Sequence, residues 1–259
     1  MKRSRGTRGD GRAGTALLRA ALLAGLCLSA AACGGGGGSV SNSPSAAPVY
    51  ADRVVRDGHL NPLGATQTDW PFFFQPQVML GPPGGIMDVF SLGYDPSAKN
   101  PPRLGGSVVL GFGDATGRRC VVDGPGPDLT VYENPFRTVD SAGNAGTNNE
   151  VATVEISADL TTWYLFPPGD DTSLPAILTR RYSKLAGVTP TDEGGDSFDL
   201  AQTLPAVPAG FQACYVRITD GGTVWPDYGN TQTDVWASGT DIDSVQALHH
   251  VAAPIGLAK

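Results

Sequence analysis

Hydrophobic residues along this chain recur with a period of two, not 3.6. In Ser107–Phe112, Val108, Leu110 and Phe112 fall on one face. In Val151–Ser157, Ala152, Val154 and Ile156 alternate with Thr153 and Glu155. In Ala213–Asp220, Cys214, Val216 and Ile218 alternate with Tyr215, Arg217 and Thr219. Side chains of an extended chain point alternately to opposite faces, so this pattern predicts strands with one apolar and one wet face. Further runs bounded by Gly, Pro, Asp and Asn read as strands at Val49–Arg56, Phe72–Met79, Ile86–Leu92, Leu129–Glu133, Trp163–Phe166 and Ile242–His249. A short helix is expected over Leu174–Arg181, in an otherwise loop-rich stretch from 167 to 212. No apolar 3.6 period lasts three turns. About nine half-apolar strands bury their dry faces most simply in an all-β, antiparallel, two-sheet β-sandwich. Residues 49–259 are within the size of one such domain.

Composition agrees. The 35 Gly and 21 Pro among 259 residues exclude a helical bundle, while 41% hydrophobic residues still supply a core. The formal charge of −7 hides an asymmetry. Residues 1–32 hold Lys2, Arg3, Arg5, Arg8, Arg12 and Arg19 against Asp10, leaving 12 basic and 24 acidic residues from residue 33 on, a net of −12. So acidic a body argues against nucleic-acid binding through phosphate neutralisation.

The basic start is an export signal. Ala20–Ala32 carries no charge and is too short to span a bilayer, which needs about 20 residues. It ends Ala30-Ala31-Ala32-Cys33, which resembles a bacterial lipoprotein signal. That resemblance implies cleavage before Cys33 and lipid on its side chain. The usual Leu three residues before the Cys is replaced by Ala30, and Ala30-x-Ala32 also fits ordinary cleavage to a secreted protein. Cys27 is a poor acceptor behind the bulky Leu26. Residues 33–48, opening with five glycines, cannot bury apolar surface and form a flexible tether. Gly34 in place of Asp after the lipidated Cys implies, by the same resemblance, the outer membrane or cell surface. With Cys33 lipidated, Cys120 and Cys214 remain as a disulfide pair in an oxidising compartment, or else as two buried thiols.

Several stretches resemble a family of bacterial cell-surface proteins and lipoproteins: GGSVVLGFGD (105–114), DGPGPDLTVYENPF (123–136), VATVEISADLTTWYLFP (151–167), AGVTP (186–190), GGDSFDLA (194–201), VRITD (216–220) and DIDSVQALH (241–249). The resemblance implies a jelly-roll-like, galactose-binding-like sandwich akin to carbohydrate-binding modules, at the cell surface, binding and not catalysing. The insert 221–240 departs from the pattern.

Some acids fall in phase with the core: Glu133 after Leu129 and Val131, Asp220 after Val216 and Ile218, Asp243 before Val245. Asp241 lies beside Asp243, and Asp123 and Asp128 flank the turn GPGP. A buried carboxylate is costly unless paired or metal-bound, and basic partners are scarce. Calcium, which takes six to eight oxygens, satisfies some of these six as one structural site. The alternative is strand-end caps and Asx-turns with Arg137 or Arg217 as ion-pair partners. In the insert, Trp225, Tyr228 and Trp236 lie among Asp227, Asn230 and Asp234. Rings beside amides and carboxylates suit a sugar; the alternative is that they fold back to cover the sandwich edge or make a small local core.

Catalytic motifs are missing from the sequence. Gly195-Asp196-Ser197-Phe198 resembles the start of GDSL-type esterases, but the Ser comes late and no Asp-x-x-His follows. No GxSxG, P-loop, Rossmann or HExxH pattern occurs. His249 and His250 on one strand would face opposite ways, against a shared metal. Nothing marks a glycosidase carboxylate pair. The expectation is a non-catalytic surface module for a glycan. Its rivals are an envelope or adhesion component with a protein partner and, less favoured, a glycoside hydrolase.

Overall fold

A computed structural model describes residues 48–60, 74–85, 88–93, 95, 101–115, 117–133, 136–139, 145–148, 150–173, 181–225 and 239–254. The signal segment, Cys33, the tether, Tyr228, Trp236 and all but the last residue of the expected helix over 174–181 lie outside them.

The described residues are all-β, with only short 3-10 turns as helix. Strands run β1 Val49–Gly58, β2 Phe90–Ser91, β3 Ser107–Asp114, β4 Gly117–Val122, β5 Leu129–Glu133, β6 Phe136–Val139, β7 Ala145–Asn148, β8 Ala152–Ser157, β9 Tyr164–Leu165, β10 Gly169–Asp170, β11 Tyr182–Ser183, β12 Leu185–Ala186, β13 Asp196–Phe198, β14 Gln212–Ala213, β15 Tyr215–Asp220, β16 Asp241–Ala247 and β17 His250–Ala252. Thirteen form one antiparallel sheet whose main path is β12-β8-β15-β3-β1-β16-β5-β13. Strand β4 hangs from β3 and also pairs β14 and β17. Two-stranded sheets, β6–β7 and β10–β11, stand apart.

Strand β1 makes this sheet curl. Val49 and Tyr50 pair with Ala247 and Gln246 of β16. From Ala51 onward the strand pairs with β3, with register shifts at Ala51/Arg53 and Val54/Arg56. Bulges of this kind bend a strand and increase its twist. The two limbs meet over one hydrophobic cluster: Val131, Ile242 and Val245 from one, Leu110, Phe112, Ile156 and Ile218 from the other. Each buried side chain of this size contributes about 1.5–3 kcal/mol.

Four expectations are corrected. Residues 76–79 form a 3-10 turn, not a strand. Pro76 has no N–H to donate to a ladder, and Val78 and Leu80 donate instead to Gln75 and Gln77. The run 86–92 keeps only Phe90–Ser91 as strand, Ile86 and Met87 lying outside the described residues. The expected strand 213–220 breaks at Cys214. Ala213 and Val216 both enter the main cluster, so Cys214 is turned to the opposite face from Val216 and Ile218. The outer face is also drier than alternation implies. Val109, Cys120, Cys214 and Tyr215 form a second cluster there, and Thr153 is buried, donating to Thr219 O. Beside them Arg217 pairs bidentately with Glu155 at 2.6 Å and lies 4.1 Å over the Trp163 ring.

Cys120 and Cys214 form a disulfide spanning 94 residues. It ties β4 to the β14–β15 break from outside the core.

Candidate functional site

The six candidate calcium ligands do not gather in one place. Asp128 precedes β5 and Glu133 ends it, so the strand holds them about 16 Å apart. No single cation joins the two ends.

At one end Glu133, Asp220 and Asp241 are all buried. Asp220 ends β15 and closes the insert. Its carboxylate accepts Gly222 N at 2.6 Å, Thr240 N at 2.6 Å and Thr240 Oγ1 at 3.1 Å. Gly222 reaches this position with φ +55°, where a side chain is strained. Asp241 N donates to Glu133 Oε1 at 3.4 Å. Burial raises the Asp241 carboxyl, a Ser91 hydrogen bond opposes this, and the Asp220 charge adds to it. Burial likewise raises Asp220, against its Thr240 and Gly222 hydrogen bonds. Among the described residues neither forms an ion pair.

Asp243 departs from the expected phase. Ile242 faces Glu133 and Ser244 faces Tyr132, leaving Asp243 as the extra residue of a bulge. Ile242, Val245 and Ala247 take the core side, while the Asp243 carboxylate accepts Gly84 N at 2.7 Å. Burial raises its pKa, against hydrogen bonds from Gly84 and Gly85. Arg217, offered as a partner for these acids, is engaged by Glu155; the Arg137 side chain lies outside the description.

At the other end Asp123 and Asp128 meet a residue not anticipated, Asp199. Their carboxylate oxygens lie within 4.8 Å of one another. Buried Asp128 is a three-way clamp. Its carboxylate accepts Gly124 N and Leu200 N, each at 2.7 Å, and its carbonyl accepts Leu248 N at 2.8 Å. Burial raises its pKa, those two amides oppose it, and Asp123 and Asp199 add to it. Asp199 caps the 3-10 turn Leu200–Gln202, accepting Ala201 N at 2.9 Å. Its signal was an acid directly before Leu-Ala-Gln, within GGDSFDLA. His249 packs on Gly124, where a Cβ would run into the ring. His250 is buried on β17, so the two histidines share no site.

Beside this acidic end opens a cleft of about 490 Å³. Val122 of β4, Val251 of β17, Val207 and Phe211 are among its lining, with Asp123 and Gln212 as polar members. The 203–211 segment is pinned by Val207 N to Thr203 Oγ1 and Phe211 N to Pro208 O. Phe211 meets Tyr164 edge-on at 4.9 Å. Sequence reasoning left this loop unassigned because Ala206–Gly210 carries no periodicity.

Trp225 is half-buried against Val151, Tyr182, Leu185 and Val188. It covers a satellite cluster, as the local-core alternative expects. In the GDSF segment Asp196 accepts Val188 N at 2.9 Å and Thr189 N at 3.0 Å, and Ser197 pairs with Thr130 in the sheet.

Comparisons with protein-family models, curated proteins and solved structures return no match.

Proposed function

We propose that this chain is an exported lipoprotein, lipidated at Cys33 and tethered through residues 33–48 at the outer membrane or cell surface. Its body is a non-catalytic, jelly-roll-like two-sheet sandwich that binds a glycan. The cleft beside Asp123 carries this reading. A sugar ring offers a CH face and an edge of hydroxyls, and the cleft offers Val122, Val251 and Phe211 against the carboxylate of Asp123 and the amide of Gln212. This moves the ligand seat away from Trp225. Calcium belongs to the proposal at Glu133, Asp220 and Asp241, three buried carboxylates, of which Asp220 raises the Asp241 pKa.

The test is a glycan array probed with the full chain in detergent, compared with Gln212→Ala. Retention of a glycan class by the parent and its loss in the variant supports the reading. An array without hits overturns it.

A protein partner is the second reading. Leu60, Leu104 and Val224 are exposed, and the segments carrying the last two meet through Thr223 N to Arg103 O.

A further inference from the structure

The lining of the cleft is electrostatically one-sided. Among the described residues that line it there is no Lys, Arg or His, and Asp123 is the one ionisable member. Behind Asp123 stand the carboxylates of Asp128 and Asp199. Asp128 gives both oxygens to backbone amides, and Asp199 caps a turn. Asp123 is exposed, makes no hydrogen bond or ion pair with the described residues, and keeps its carboxylate within 4.8 Å of the other two. Gln212 also lines the cleft, and its Oε1 is buried and receives no hydrogen bond from the described residues.

We propose that the cleft selects glycans carrying a free, unacetylated amine. This rests on the glycan-binding reading and narrows it. An amino-sugar ammonium supplies three N–H donors and one positive charge. It matches the Asp123 carboxylate while the sugar's CH face lies on Val122, Val251 and Phe211. Acetylation removes the charge and adds a bulky acceptor, leaving the Asp123 carboxylate facing a neutral amide. A carboxylated or sulfated sugar would be repelled. The three acids and the apolar walls come from β4, β17, the turn 123–128 and the segment 199–212, which Asp128 fastens together. The ammonium seat is therefore fixed in place before ligand arrives.

The experiment compares the trimer of β-1,4-linked glucosamine with its N-acetylated counterpart, by calorimetry on the full chain in detergent near pH 6, where the amine is charged. The amine trimer is expected to bind about tenfold more tightly, with Asp123→Asn removing that advantage. The acetylated trimer's affinity is expected to be unchanged by Asp123→Asn. Because the whole body is acidic, Asp192→Asn, an exposed acid elsewhere, is the control and should leave both affinities alone. Equal binding of the two trimers overturns the amine selectivity and leaves the glycan reading standing. An equal loss in Asp123→Asn and Asp192→Asn also overturns it, showing diffuse attraction only. If neither trimer binds and the array is blank, the glycan reading itself fails.

Discussion

The Asp220 carboxylate accepts both the backbone N–H and the hydroxyl of Thr240, twenty residues further along the chain, at 2.6 and 3.1 Å. The same carboxylate holds Gly222 N. One buried acid therefore pins both ends of the segment that joins β15 to β16.

Removing that acid strands buried donors. Asp220→Ala leaves Thr240 N and Gly222 N without their acceptor, at about 1–3 kcal/mol each. Urea denaturation should show a loss of several kcal/mol, with Asp220→Asn milder because one oxygen remains. A midpoint unchanged in Asp220→Ala would show that the pin contributes nothing.

Asp196 should make stability fall as pH rises. Burial raises its pKa from 3.8 to about 6, against hydrogen bonds from Val188 and Thr189. The folded state therefore binds the proton more tightly than the unfolded state. Its contribution is fully present below about pH 4 and is lost progressively as pH climbs through about 6. Asp196→Asn cannot titrate. Thermal melts of parent and variant between pH 4 and 7 should differ in slope, the variant's being flatter. Parallel curves would contradict the assignment.

Cys120 and Cys214 close a loop of 94 residues, worth up to about 4–5 kcal/mol in the chain-entropy model. The double substitution to Ser is expected to lower the unfolding free energy by a large part of that. Since the bridge lies outside the main cluster, far-UV circular dichroism should stay that of a β protein. Loss of the β signature at 25 °C would mean that the bridge is a condition of folding.

Calcium at Glu133, Asp220 and Asp241 predicts that EDTA lowers the melting temperature at pH 8 and that added calcium restores it. Asp241→Asn should abolish the response. An EDTA-insensitive melt, with no calcium found by elemental analysis, removes the ion from the account.

A core truncation calibrates the other effects. Leu110 is fully buried between the limbs, so Leu110→Ala should cost about 2–5 kcal/mol in denaturant. A much smaller loss would mean that the limbs are not packed together over it.

Strands with uninterrupted alternation were legible from residues alone. Leu129–Glu133 is β5 to the residue, Ala152–Ser157 lies within the expected run, and the burial of Glu133 and Asp220 followed from their phase. Strand β4 was missed because Arg118 and Arg119 put two charges in a row. Its place is set by pairing with β3, β14 and β17. Asp243 and Cys214 were given the wrong faces because a bulge or a break adds one residue and reverses every side chain beyond it. Such a shift depends on the partner strand, which no local pattern contains.

Alternation and Gly and Pro content determined the β class, most of the longer strands and the burial of Glu133 and Asp220, because these are set by solvation along a single strand. Tertiary structure alone decided how the acids divide, that Asp199 joins Asp123 and Asp128, and that a cleft opens beside them. Those relations join segments up to 129 residues apart, from Val122 to Val251, and sheet register and curling set them.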